Sequence, residues 1–77
     1  MEFTRTVDNT LYSRRALAAA REAYREYCVV RVTPVAEGLA DVAVQPHRQY
    51  EAEARQVILE FWNFFLDTAC QQRLEVA

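Results

Sequence analysis

The sequence has one glycine, one histidine, one serine and no lysine among its 77 residues, and each shortage excludes a class of site. A single glycine, Gly38, excludes the glycine-rich loops that cradle phosphates. One histidine, His47, and two cysteines cannot supply the four nitrogen and sulfur ligands of a self-contained zinc site. The only serine, Ser13, stands at a predicted helix start, where it caps the helix rather than acting as a nucleophile. We therefore predict no catalytic residue, no metal and no cofactor.

The charge is nearly balanced and the apolar runs are short. Nine basic residues, all of them arginine, and eleven acidic residues give a net charge of −2, which argues against a sequence-independent nucleic-acid binder. The longest apolar stretch, within residues 57–66, is far shorter than the roughly 20 residues that span a bilayer. The N-terminus lacks a basic region followed by an apolar run, so we expect no signal peptide. These features predict a cytoplasmic protein that binds neither nucleic acid nor membrane.

The length predicts one domain, residues 1–77, with one small core. A hydrophobic share of 52% is too high for a disordered chain, yet a core of this size is only marginally stable alone. A second chain or another partner is therefore favoured. Cys28 and Cys70, 42 positions apart, are expected to be unpaired structural thiols in a reducing compartment.

The first two elements are a strand and a capped helix. Residues 3–7 alternate with period two, and Arg5 is the one imperfect residue on the inner side. Ser13 predicts a helix N-cap, with Tyr12 and Leu17 as a hydrophobic staple, and the helix is expected to continue over residues 16–27. The Arg and Glu residues of this helix are either a solvated face or a surface for an acidic peptide.

The middle of the chain predicts an antiparallel hairpin. Residues 28–33 form the clearest strand, with Cys28, Val30 and Val32 on one face. Residues 34–38 contain Pro34 and Gly38 and predict a longer loop, after which residues 39–45 return as a second strand. Ala40, Val42 and Val44 are expected to face the core.

The last element, residues 49–74, predicts a long helix with more apolar surface than one small sheet can cover. Its core stripe consists of Tyr50, Ala54, Val57, Ile58, Phe61, Phe64 and Phe65. Leu59, Trp62 and Leu66 extend the apolar arc to roughly 220°, against the 100° or so that a surface helix needs. Either the first helix packs on this flank, or the flank contacts another chain. Trp62 is accordingly either the anchor of an interface or a core residue.

The order strand, helix, strand, strand, helix predicts an α+β domain: a three-stranded sheet covered by two helices, as in a ferredoxin-like fold without its fourth strand. The third strand is expected at the centre. The first strand then has a free outer edge, which can pair with another strand. The predicted partner-binding residues are Phe3 and Arg5 at this edge and Leu59, Trp62 and Leu66 on the helix flank.

The sequence resembles a known family through short motifs that lie along most of the chain. They are Val7-Asp8, Leu11-Tyr12-Ser13, Ala16-Leu17, Ala20, Tyr24, the strand at residues 28–32, Phe61-Trp62-Asn63 and Leu66-Asp67. Taken together they are similar to the His-Xaa-Ser system protein HxsD family, small proteins found with radical SAM enzymes in peptide-modification systems. The resemblance implies an accessory role in maturing a ribosomally made peptide, with no catalytic residue to assign.

Three functions are compatible with the sequence. The first is a non-catalytic accessory subunit that binds a maturation enzyme of the radical SAM type, a precursor peptide, or both. The second is a homodimeric structural module whose flank and edge are used in self-association. The third is a small enzyme, for which Glu60, Asp67 and Cys70 supply too few convergent groups.

Overall fold

A computed structural model describes residues 2–8 and 13–76 of the chain, with side chains as far as residue 72. The elements are β1 (Phe3–Asp8), α1 (Arg14–Ala23), β2 (Cys28–Ala36), β3 (Leu39–Pro46) and α2 (Ala54–Val76), with a short 3-10 helix at Arg48–Glu53 before α2. This order confirms the predicted α+β class and the β-α-β-β-α pattern.

The described strands form one antiparallel sheet in the order β1-β3-β2. Val42 of β3 stands opposite Arg5 of β1 on one side and Val32 of β2 on the other. Because β1 and β2 both run antiparallel to β3, they are parallel to each other with a strand between them, which is a split βαβ arrangement. The central position predicted for the third strand is confirmed.

The hairpin between β2 and β3 is tighter than the sequence suggested. Strand β2 continues past Pro34 to Ala36, with an irregularity in register between those two residues, and the turn consists of Glu37 and Gly38 alone. Gly38 has a φ of 78°, a conformation that residues with a side chain rarely adopt. Pro34 is tolerated within the strand because β2 lies at the edge of the sheet.

Helix α1 begins where the sequence predicts and ends earlier. The Ser13 hydroxyl accepts a hydrogen bond from the Ala16 N–H at 3.0 Å, which confirms the N-cap. Tyr12, the other half of the expected staple, lies outside the described residues. The predicted helix over residues 16–27 is too long, because Tyr24 leaves the helical conformation and its carbonyl accepts from the N–H groups of Tyr27 and Cys28.

The core lies between the sheet's inner face and α2. Val42, Val44, Phe61 and Phe65 are completely buried, and α1 adds Ala16 and Ala20 with no exposed surface. The predicted core stripe is confirmed within α2, where Ala54, Val57, Ile58, Phe61 and Phe65 are buried and Phe64 is partly buried. The predicted helix start near residue 49 is wrong, because Tyr50, which is also partly buried, lies in the 3-10 helix and has a non-helical backbone conformation. In the part of the chain that the structure describes, no helix is both long and apolar enough to cross a membrane.

Candidate binding surface

The outer edge of β1 meets the flank of α2 at an aromatic pair. Within the described segments, β1 pairs with β3 and with no other strand, so its outer edge is free. Phe3 lies near the start of this edge strand with 46% of its surface exposed, and its ring is 6.3 Å from that of Trp62 in an edge-on arrangement. The edge and the flank, which the sequence predicted as two separate features, are therefore in contact.

Arg5, two residues after Phe3 on the same face of β1, also contacts the Trp62 ring. Its guanidinium carbon lies 5.7 Å from the centre of the Trp62 ring, within the range of a cation–π interaction. This contact explains why the charged residue Arg5 stands on the inner face of β1, where it interrupts the apolar pattern of the sequence. The strand presents Phe3, Arg5 and Val7 on one face, and only Val7 is buried.

Trp62 belongs to the core of a single chain. It is 6% exposed and packs against Phe61 and Phe65 as well as Phe3. Its indole Nε1 is buried and has no hydrogen-bond partner among the described residues. Of the two roles left open for Trp62, the structure places it in the core. The cover comes from β1 rather than from α1, which the sequence had offered as the only covering element within the chain.

Leu59 and Leu66 flank Trp62 along α2, one turn before it and one turn after it. Leu59 is half exposed and Leu66 is partly buried. Together with Phe3 and Arg5 they form what we call the β1 surface: a free strand edge beside apolar side chains, supported from beneath by Trp62. The contact of Phe3, Arg5, Leu59 and Leu66 with a partner stays a prediction.

The two thiols differ in environment. Cys28 is buried at the start of β2, where its Sγ lies 3.6 Å from the Tyr24 carbonyl oxygen and burial raises the pKa of the thiol. Cys70 is exposed on α2. The expectation that both cysteines are structural fits the position of Cys28, whereas Cys70 lacks the burial that such a role would give it.

Tyr24 also has a shifted pKa. Burial, and to a smaller extent the negative charge of Glu60, raise the pKa of its phenol. Its ring contacts those of Phe61 and Phe64 at 6.1 and 5.7 Å. This environment stabilises a neutral phenol within an aromatic cluster.

A second surface lies between α1 and the β2–β3 hairpin, and it bears on the two roles that the sequence leaves open for the arginines of α1. Arg14 and Arg21 line a groove between α1 and the β2–β3 hairpin. The signal that identifies them in the sequence is their spacing of seven, which places both on one face of the helix. The spacing alone did not show that this face lies next to β2, an edge strand of the sheet.

No protein-family model, curated protein or solved structure matches the chain. The resemblance to the HxsD family therefore remains a prediction from its short motifs, and the two surfaces are the features of the structure that bear on function.

Proposed function

We propose that this chain is a non-catalytic accessory protein that acts in the cytoplasm in the maturation of a ribosomally made peptide. In this proposal the β1 surface binds a protein partner, either a modifying enzyme of the radical SAM type or the precursor peptide. The peptide-maturation role comes from the resemblance in sequence, and the binding role comes from the geometry.

The observation that carries the binding role is the contact between Phe3 and Trp62. It brings a free strand edge and exposed apolar side chains to one place, and a partner strand added to β1 would lie beside Leu59 and the exposed part of Phe3. Backbone hydrogen bonds along the strand would give affinity, and the apolar neighbours would give specificity.

The same surface supports a second candidate, a homodimer. Two copies of β1 could pair antiparallel across a two-fold axis, because a two-fold interface uses the same patch on both subunits. That pairing would cover Phe3 and Leu59 in each copy, and it would leave no β1 edge for another protein.

Molar mass measured by light scattering distinguishes the two candidates. The accessory proposal expects 9.0 kDa for the chain alone at all concentrations tested, and a larger complex when a radical SAM peptide-modifying enzyme and its precursor are added. The homodimer candidate expects a doubled mass without any addition. A monomer that forms no complex with the enzyme or the precursor would contradict both.

A further inference from the structure

A groove of about 400 Å³ runs between α1 and the β2–β3 hairpin, and its lining reaches across β3 as far as Val7 of β1. Its floor is apolar and includes Val7, Leu17, Val32 and Phe65. Val32 is more than one-third exposed although it stands on the inner face of β2, because the elements above the sheet do not cover this end of the strand. Among the described residues, nothing closes the groove to a side chain from outside.

Two arginines of α1 line this groove and have no charged partner among the described residues. Arg14 and Arg21 form no ion pair or hydrogen bond with any of residues 2–8 and 13–72. Arg25, one turn further along, lies 3.8 Å from Glu22 and so has an acidic neighbour. The segment from residue 13 to residue 27 carries four arginines and two glutamates, so its net charge is +2 in a chain whose total is −2.

Strand β2 has an outer edge next to the groove, and this edge offers backbone hydrogen-bonding groups except for the N–H that Pro34 lacks. It is the longest of the three described strands, with nine residues, and among the described elements it pairs only with β3. An extended peptide added at this edge would place every second side chain on the helix side of the sheet, toward the floor of the groove and the two arginines.

We propose that the groove binds an extended acidic peptide, which adds to the outer edge of β2 and directs carboxylates to Arg14 and Arg21. Arginine suits this role because its guanidinium binds carboxylates in a bidentate geometry. The proposal goes beyond the function of the β1 surface and does not depend on it, since the two edges lie on opposite sides of β3.

The spacing of the two arginines defines the peptide. They are about 10 Å apart along the helix axis, with Leu17 and Ala18 between them, and strand residues i and i+4 are about 13 Å apart. The arginine side chains are long enough to make up the difference between their own spacing along the helix and the spacing of residues i and i+4 in the peptide. A peptide with an acid at i, an apolar residue at i+2 and an acid at i+4 therefore matches the order charge, apolar floor, charge.

The test uses a fluorescein-labelled peptide of sequence Gly-Glu-Thr-Val-Thr-Glu-Thr, with fluorescence anisotropy as the readout. We expect the unmodified protein to bind this peptide and to reject the version with both Glu replaced by Lys. The double variant Arg14→Glu/Arg21→Glu should weaken binding by about tenfold or more. The matched control, Arg15→Glu/Arg55→Glu, makes the same change in net charge at exposed arginines outside the groove lining, and should stay within about twofold.

Amide hydrogen exchange on the bound protein tests the strand addition. The proposal expects exchange to slow along β2 and to stay unchanged along β1. Equal loss of binding in the two double variants, equal affinity for the Glu and Lys peptides, or slowing confined to β1 would each overturn it. Absence of binding by the Glu peptide at millimolar concentration would also overturn the proposal. So would a protein dimer, seen as a doubled mass, in which the groove is covered and the Glu peptide does not bind.

Discussion

Arg5 lies over the ring of Trp62, with 5.7 Å between the guanidinium carbon and the ring centroid. The residue that breaks the apolar pattern of β1 thus contacts the largest side chain on the flank of α2. The Phe3 and Trp62 rings also meet in an edge-on arrangement, so one tryptophan links the edge strand β1 to α2. Pairing with β3 holds β1 in the sheet, and these two contacts connect it to the flank of α2.

Replacing Arg5 with alanine should lower the free energy of unfolding by about 0.5–1 kcal/mol, because an exposed cation–π contact is lost. Trp62 is the only tryptophan, so its fluorescence emission should also change. The control is Arg31→Ala, which removes an exposed arginine that pairs with Glu2 instead of an aromatic ring. Urea unfolding followed by tryptophan emission measures both, and equal effects in the two variants would contradict the assigned contact.

Replacing Trp62 with alanine should unfold the domain. Truncating a buried aromatic side chain costs about 3–5 kcal/mol, which is most of the stability available to a domain of this size. Trp62→Phe should remain folded, because it keeps a ring against Phe3 and removes the indole N–H that has no partner in the described part of the chain. Circular dichroism distinguishes the two, and a stably folded Trp62→Ala variant would show that this ring is not a core residue.

The sequence predicted the strands and the buried stripe of α2 because both follow from the period of the apolar residues. Periodicity shows which side of an element is buried, but it does not show which neighbour covers it, so the cover of Trp62 by Phe3 and Arg5 was missed. The early end of α1 depends on Tyr24, whose carbonyl receives the first hydrogen bonds of the turn into β2. Pro34 suggested a loop, and only the edge position of β2 shows why a strand tolerates it.

Ser13→Ala should destabilise the protein by about 1 kcal/mol, as loss of an N-cap usually does. The Ser13 hydroxyl also donates to Gln72 Oε1 at 2.5 Å, so Gln72→Ala separates the contact between helices from the cap and should cost less. Neither change should affect binding at the β1 surface, because neither residue lies there. An unchanged thermal midpoint in Ser13→Ala would contradict the capping role.

The two cysteines should react differently in the folded protein. Cys70 is exposed and should be alkylated by iodoacetamide, whereas Cys28 should be protected by burial and by its raised pKa. Mass spectrometry should therefore show one added group under native conditions and two in urea. Two rapid additions to the folded protein would contradict the assigned burial.

The raised pKa of the Cys28 thiol predicts that the stability of the protein depends on pH. Cys28 ionises more readily in the unfolded chain, where its usual pKa is 9.0, than in the folded protein. The unfolded state therefore binds fewer protons above that pH, and stability should fall as pH rises through this range. Cys28→Ala should make this fall shallower, at the cost of some packing. An identical slope in the variant, measured by urea unfolding from pH 8 to pH 10, would contradict the account.

The most direct test of the β1 surface is a matched pair of arginine substitutions read out by light scattering. Leu59 and Val35 are both 51% exposed, but Leu59 lies one turn before Trp62 on the flank of α2 that we assign to the β1 surface, whereas Val35 lies near the turn of the β2–β3 hairpin. Both variants should fold, since each replaces a half-exposed side chain. The account predicts that Leu59→Arg no longer associates with the modifying enzyme or the precursor, while Val35→Arg associates as the unmodified chain does. Full association by Leu59→Arg, or equal loss in both variants, would contradict it.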